Sequence, residues 1–175
     1  MTGRRTALVI VVPAAEPLVA GFRRRHDADA VARRIPPHVT IVFPFAPVET
    51  VDDRMVDDLE TLYASSPAFD FELTRVGRFE EHVWLAPEPQ RCFARLIELT
   101  AARFPEWPPY KGSFGDVVPH LTIGSGESID AMTSAAREEI AAALPVSAKA
   151  TGVTLLEEQA DGTWAGAATF RLGVP

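Results

Sequence analysis

The pentapeptides Pro37-His38-Val39-Thr40-Ile41 and Pro119-His120-Leu121-Thr122-Ile123 differ by one valine-for-leucine exchange and stand about half the chain apart. With four His and 13 Thr among 175 residues, roughly 0.3 His-x-Thr tripeptides are expected by chance. Two of them, each preceded by proline and followed by isoleucine, point to a chain built in two comparable halves. Side chains alternate across a strand, so His38 and Thr40 share one face while Val39, Ile41 and Phe43 share the other; His120 and Thr122 likewise oppose Leu121 and Ile123. The aliphatic set faces the core, which brings each imidazole out with its hydroxyl on a polar second face. Pro37 and Pro119 lack an amide hydrogen and suit the first residue of a strand. An approximate two-fold relation between the halves lets both polar faces converge on one groove.

Apolar residues make up 47% of the chain and charged residues 23%, which predicts one domain over residues 1–175 with a sizeable interior. There is no heptad or glycine periodicity, and no apolar run approaches the length of a membrane span. The formal charge of -7 argues against broad binding of duplex nucleic acid, leaving a small anion or the end of one strand as the expected partner. A single cysteine, Cys92, offers neither an internal disulfide nor a thiolate metal cluster, and fits a reducing, cytoplasmic setting. Arg4 and Arg5 ahead of an apolar stretch imitate a secretion signal, but the stretch stops at Pro13 and reads as a buried strand. A monomer is expected.

Along the chain, short strands alternate with amphipathic helices. Strands are expected over 7–12 and 39–45, with a helix over 16–27 between them whose Arg23-Arg24-Arg25 run reads as a solvated face. Thr50 is expected to cap a helix carrying Val51, Met55, Leu59 and Leu62, with Asp52 and Asp53 at its positive end. Phe69, Phe71 and Leu73 alternate with polar neighbours, and a turn near Gly77 leads into Val83-Trp84-Leu85. A helix over 89–103 precedes a proline- and glycine-rich loop, 104–117, that holds Tyr110 and Lys111 and is the best candidate for a functional loop. A strand over 121–123 and a helix over 129–144 follow, and strands over 146–156 and 163–172 pair as a hairpin across Asp161-Gly162.

Two imidazoles and two hydroxyls facing each other suit in-line displacement at phosphorus. One group takes a proton from the attacking oxygen while the other gives one to the leaving oxygen, and histidine titrates near neutrality as both roles require. Threonine hydroxyls donate to the non-bridging oxygens, where charge is held in the transition state. These paired motifs resemble those of the two-histidine phosphoesterase superfamily, which includes the 2'-5' RNA ligase-like proteins and cyclic nucleotide phosphodiesterases. The resemblance implies an α+β fold of two pseudo-symmetric lobes, each an antiparallel sheet with flanking helices, around a central groove. It also implies His38 and His120 as the acid-base pair, Thr40 and Thr122 as their phosphate-binding partners, and no metal or other cofactor. The implied substrates are 2',3'-cyclic phosphates or 2'-5'-linked nucleotide or RNA ends, with ligation as the reverse reaction.

Relatives often carry a basic residue three positions past the second threonine, where this chain has Ser125; after Thr40 it has Val42. Charge neutralisation then falls to Lys111, Arg33 or Arg34, while Tyr110 stacks on a base or donates to phosphate and Phe45 walls the groove. His26 and His82 read as ordinary satisfied polar residues. No His-x-His, His-Glu-x-x-His or paired-cysteine spacing supplies a zinc site, and no Gly-x-Ser-x-Gly elbow or phosphate-loop pattern is present. The rival to an enzyme is a module that binds a nucleotide or RNA end in the same groove without turning it over.

Overall fold

A computed structural model describes residues 3–112 and 117–174. Strand β1 (Thr6–Val11) leads through helices α1 (Glu16–His26) and α2 (Ala28–Ala32) into β2 (His38–Val42). Helix α3 (Asp53–Ala64) precedes a hairpin of β3 (Phe69–Arg78) and β4 (His82–Glu88), followed by α4 (Gln90–Arg103) and β5 (Leu121–Ser125). Helix α5 (Ile129–Glu139) and strands β6 (Val146–Ala150), β7 (Gly152–Glu158) and β8 (Trp164–Arg171) complete the chain. The protein is α+β, with two four-stranded antiparallel sheets in the orders β2-β1-β7-β8 and β5-β4-β3-β6. The first motif opens an edge strand of one sheet and the second motif leads into an edge strand of the other. No helix among the described residues is long and apolar enough to cross a membrane.

The halves are interlocked by their helices. Helix α1, which joins β1 to β2, packs on β5 of the other sheet, and α4, which joins β4 to β5, packs on β2. Gly124 permits the first approach: a Cβ there would meet Met132 Sδ at 2.3 Å and His26 Cβ at 3.2 Å. Leu8, Ile10, Val39 and Ile41 of one sheet and Leu73, Leu85, Leu121 and Ile123 of the other consequently share one core. Burying an aliphatic side chain of this kind contributes about 1.5–3 kcal/mol, and exchange of the helices makes each motif strand depend on the opposite half.

Several expected elements differ. Helix α3 is capped by Asp52, whose carboxylate accepts the Met55 N–H at 2.8 Å, whereas Thr50 sits in a preceding turn and donates to Pro47 O at 2.8 Å. Extended backbone at Asp52 places its carboxylate against the free amides of the first turn, which Thr50 is too far upstream to reach. Gly77 lies inside β3 opposite Trp84, because the indole lies flat against its Cα, where a Cβ would meet the ring at 2.4 Å. The helix expected over 129–144 ends at Glu139 and gives way to a tight turn at Ala141–Ala143. The strand expected over 146–156 is two strands in different sheets: β6 pairs with β3, and β7 pairs with β1 and β8. Periodicity carries no mark of this crossing, because both pieces alternate in the same way.

Candidate functional site

On β2 the burial alternates as expected at first: His38 and Thr40 are half-buried while Val39 and Ile41 are fully buried. His38 lies opposite Val11 and Thr40 opposite Val9, on the face where Ala7, Val9, Leu156 and Trp164 form a second, smaller apolar cluster. On β5, Thr122 lies opposite Trp84. The His120 ring stands edge-on to Phe79, with centroids 4.9 Å apart, and 6.1 Å from Trp84. Strands β2 and β5 approach each other directly, and the two imidazoles are close enough for the charge of His120 to act on His38.

Both imidazoles are anchored alike. His38 Nδ1–H donates to Pro36 O at 2.7 Å, and His120 Nδ1–H donates to Val118 O at 2.7 Å, in each case the carbonyl two residues upstream. A carbonyl only accepts, so the proton resides on Nδ1 and Nε2 is the nitrogen left for chemistry in both motifs. Burial is the main force on their titration. It pushes His38 down to about 4, assisted by the positive charges of Arg23 and His120 and opposed by the Pro36 hydrogen bond. Burial also pushes His120 down, assisted by His82 and opposed by the Val118 bond. The free protein therefore holds both rings neutral near pH 7.

The alternation breaks after each threonine. A register shift in the pairing of β1 with β2 leaves both Ile41 and Val42 in the core and turns Phe43 to the His38 face, where its ring packs 6.0 Å from Trp164. This corrects the assignment of Phe43 to the core face. Phe45, beyond the end of β2, turns inward: its N–H donates to Thr6 O at 2.9 Å, and at 3% exposure it packs edge-on to Phe104, 5.5 Å away, which makes it a core residue rather than a groove wall. The pairing of β4 with β5 shifts at the corresponding place and sets Ser125 opposite His82. Phe43 and Ser125 are thus equivalent positions, each three residues past its threonine and each turned by a bulge.

Ser125 joins a polar chain that spans the halves. It donates to the half-buried Asp27 carboxylate and accepts from His82 Nδ1–H at 3.0 Å. Burial pushes the Asp27 carboxyl up, against the pull of Arg23, whose Nε lies 3.9 Å from Asp27 Oδ2. His82 is exposed and satisfied through this bond, as expected, and stands opposite Ser125 at the end of β5. Arg23 corrects the reading of its arginine run as a solvated face, since it is only 4% exposed. Arg75 adds a guanidinium 5.6 Å above Trp84, whose buried Nε1 has no hydrogen-bond partner among the described residues.

The candidate binding residues divide. Tyr110 is brought to the β2 edge, where its N–H donates to Phe43 O at 2.9 Å and burial pushes its phenol up. Lys111 is exposed on the same turn. Arg33 is ion-paired with Asp29 at 2.9 Å, and Arg34 lies on a neighbouring cavity with Arg23 and Arg24. Positions 113–116 of the loop expected to be functional lie outside the described residues. Phe43, Phe79, His82, Trp84 and Asp27 were not singled out from sequence; comparing the third position after each threonine would have found the first, but the others meet only through tertiary packing.

The family model of the 2'-5' RNA ligase superfamily matches residues 11–162. A Bacillus thuringiensis (strain Al Hakam) protein, provisionally named a phosphoesterase, is 26% identical over 162 residues, spanning 87% of each chain. Among solved structures, E. coli LigT complexed with 3'-AMP has a TM-score of 0.62 at 19% identity, covering 97% of this chain and 98% of that one. A Thermus thermophilus protein also has a TM-score of 0.62, at 17% identity, with 97% and 98% covered. At such identities the solved structures speak for the fold.

Proposed function

Because the chain belongs to the 2'-5' RNA ligase superfamily, we propose that it is a phosphoesterase that opens 2',3'-cyclic phosphates, or cleaves 2'-5' linkages at nucleotide or RNA ends, by acid-base catalysis at His38 and His120. The observation that carries this reading is the matched anchoring of the two imidazoles, each with Nδ1 held by a carbonyl and Nε2 left available. In hydrolysis, His38 takes a proton from water as its oxygen bonds to phosphorus. His120 gives a proton to the ribose oxygen as its bond to phosphorus breaks. Thr40 and Thr122 hold the non-bridging oxygens, and the two rings exchange their protons with solvent before the next turnover. Ligation follows the same path in reverse, with a hydroxyl of a second strand end in place of water.

Both rings are neutral in the free protein, so the acid must gain its proton as substrate binds. A phosphate anion between them favours this, since an opposite charge within a few ångströms raises a histidine's proton affinity. The chain lacks a cation three positions past Thr122, and His82, oriented by Ser125 and Asp27, takes that place when protonated. None of these roles requires a metal.

Incubation with 2',3'-cyclic nucleotides in excess chelator tests the reading. Turnover that persists, and is lost in His38→Ala and in His120→Ala separately, is expected. Tight binding without turnover would favour a nucleotide-binding module, a reading supported by E. coli LigT having been crystallised with ATP and with NADP+.

A further inference from the structure

The catalytic reading leaves unused the arginines that flank the first motif. Arg23, Arg24 and Arg34, with Glu16, line a cavity of about 270 Å3 whose wall includes Pro36 and Pro37, the residues leading into His38. Three guanidinium groups against two carboxylates, Glu16 on the wall and Asp27 paired with Arg23, leave it positive in a chain whose net charge is -7. Arg24 and Arg34 have no carboxylate within salt-bridge distance among the described residues, though Asp161 feels Arg34 at longer range.

Two further features set this cavity apart from a chance cluster of surface charge. Arg23 is buried, donates from Nη2 to Ile35 O at 2.8 Å, and its Nε, 3.9 Å from Asp27 Oδ2, has no hydrogen-bond partner among the described residues. Asp27 balances its charge but leaves this N–H unmatched, and a buried donor without a hydrogen bond is costly. Arg34 closes α2 at the position where glycine is favoured: its N–H donates to Val31 O at 3.0 Å, Ile35 N–H donates to Ala30 O at 3.0 Å, and its φ is 61°. The fold therefore keeps an arginine at a backbone position that opposes any side chain. Such strain is tolerated where the side chain serves a purpose.

We propose that this cavity is a phosphate-binding subsite beside the His38 half of the active site, filled by a second phosphate group on the substrate or by a free phosphate anion. The proposal rests on the phosphoesterase reading only for its link to the scissile group. A phosphate held away from the reacting bond strengthens binding without touching the chemistry, so its effect falls on KM rather than kcat.

The test compares 2',3'-cyclic nucleotides with and without a 5'-phosphate on the full chain, on Arg34→Gly and on Arg24→Gln. Glycine suits the backbone at position 34, so that variant keeps its fold. The wild type is expected to show a KM about tenfold lower for the phosphorylated substrate, equivalent to about 1.4 kcal/mol, and both substitutions to bring the ratio towards one. A variant that is merely destabilised changes both constants alike and preserves the ratio. A ratio near one in the wild type, with pyrophosphate binding equally to wild type and Arg34→Gly by calorimetry, overturns the subsite. If no cyclic phosphate is turned over, the catalytic reading fails while calorimetry still decides this one: pyrophosphate binding at least about fivefold weaker in Arg34→Gly supports it, and equal binding overturns it. Pyrophosphate that competes only with the phosphorylated substrate identifies the substrate's own group as occupant; pyrophosphate that binds without competing identifies a free anion.

Discussion

The two motif strands share a backbone and differ in what surrounds it. Each ends in a bulge after its threonine, and each holds its histidine by the carbonyl two residues upstream. Beside β2 the bulge presents Phe43, on an apolar floor with Trp164, and Arg5 lies 5.6 Å from both rings. Beside β5 it presents Ser125, tied to His82 and Asp27, with Phe79 and Trp84 around His120. The duplicated part is the part that a symmetric reaction at phosphorus requires. The divergent part distinguishes one side of the candidate site from the other: one presents the aromatic Phe43, which on the proposed reading faces a base, the other a polar chain that runs from Asp27 through Ser125 to His82.

Breaking the shared part is expected to have the largest effect. His38→Ala and His120→Ala should each lower kcat on a cyclic nucleotide by on the order of 10²- to 10⁴-fold, and the double variant should lose little more than the worse single one, since the pair acts as a unit. Replacing Thr40 or Thr122 by valine should cost on the order of 10²-fold in kcat; unequal losses would show that one hydroxyl carries most of the phosphate charge. On the divergent side, Phe43→Ala should raise KM about tenfold with little change in kcat, as expected for a lost stacking surface. His82→Ala should instead act on both constants, and His82→Lys should restore part of the loss if the ring serves as a cation.

The pH profile sharpens the comparison further. The base must be unprotonated and the acid protonated, and burial lowers both rings in the free protein. The kcat/KM bell should therefore be centred below the ordinary histidine value of 6.5, with its two limbs belonging to the coupled pair. An optimum above neutrality would contradict the burial argument. The smallest effect is on stability. His38 titrates at about 4 when folded and near 6.5 when unfolded. The unfolded chain thus binds more protons in that window, and stability falls as pH drops through it. The full cost is on the order of 3 kcal/mol and is reached only below the folded value. Urea midpoints measured across the window should fall less in His38→Asn than in the wild type.

The candidate site was legible in the letters because the motif occurs twice and because alternation alone places His38 with Thr40 and His120 with Thr122. The strands and most helices followed from periodicity for the same reason. Phe43 left the core face because a one-residue bulge after Thr40 inverts the alternation and leaves no compositional trace, while Phe45 lies past the end of β2, where alternation no longer assigns a face. The link between Asp27, Ser125 and His82 escaped notice because they are brought together by α1 packing on β5, a contact between distant parts of the chain. Arg23 looked like part of a charged surface because a run of like charges does not reveal that one member is buried.

The central claim is that both imidazoles address one phosphorus atom. Histidine-selective nitrogen NMR during titration with a nucleoside 2'-phosphate tests it most directly. The free protein should show both rings neutral with the proton on Nδ1, and the ligand should raise the proton affinity of His38 and His120 together, with a single shared binding midpoint. A response at only one ring, or two separate midpoints, would contradict the claim.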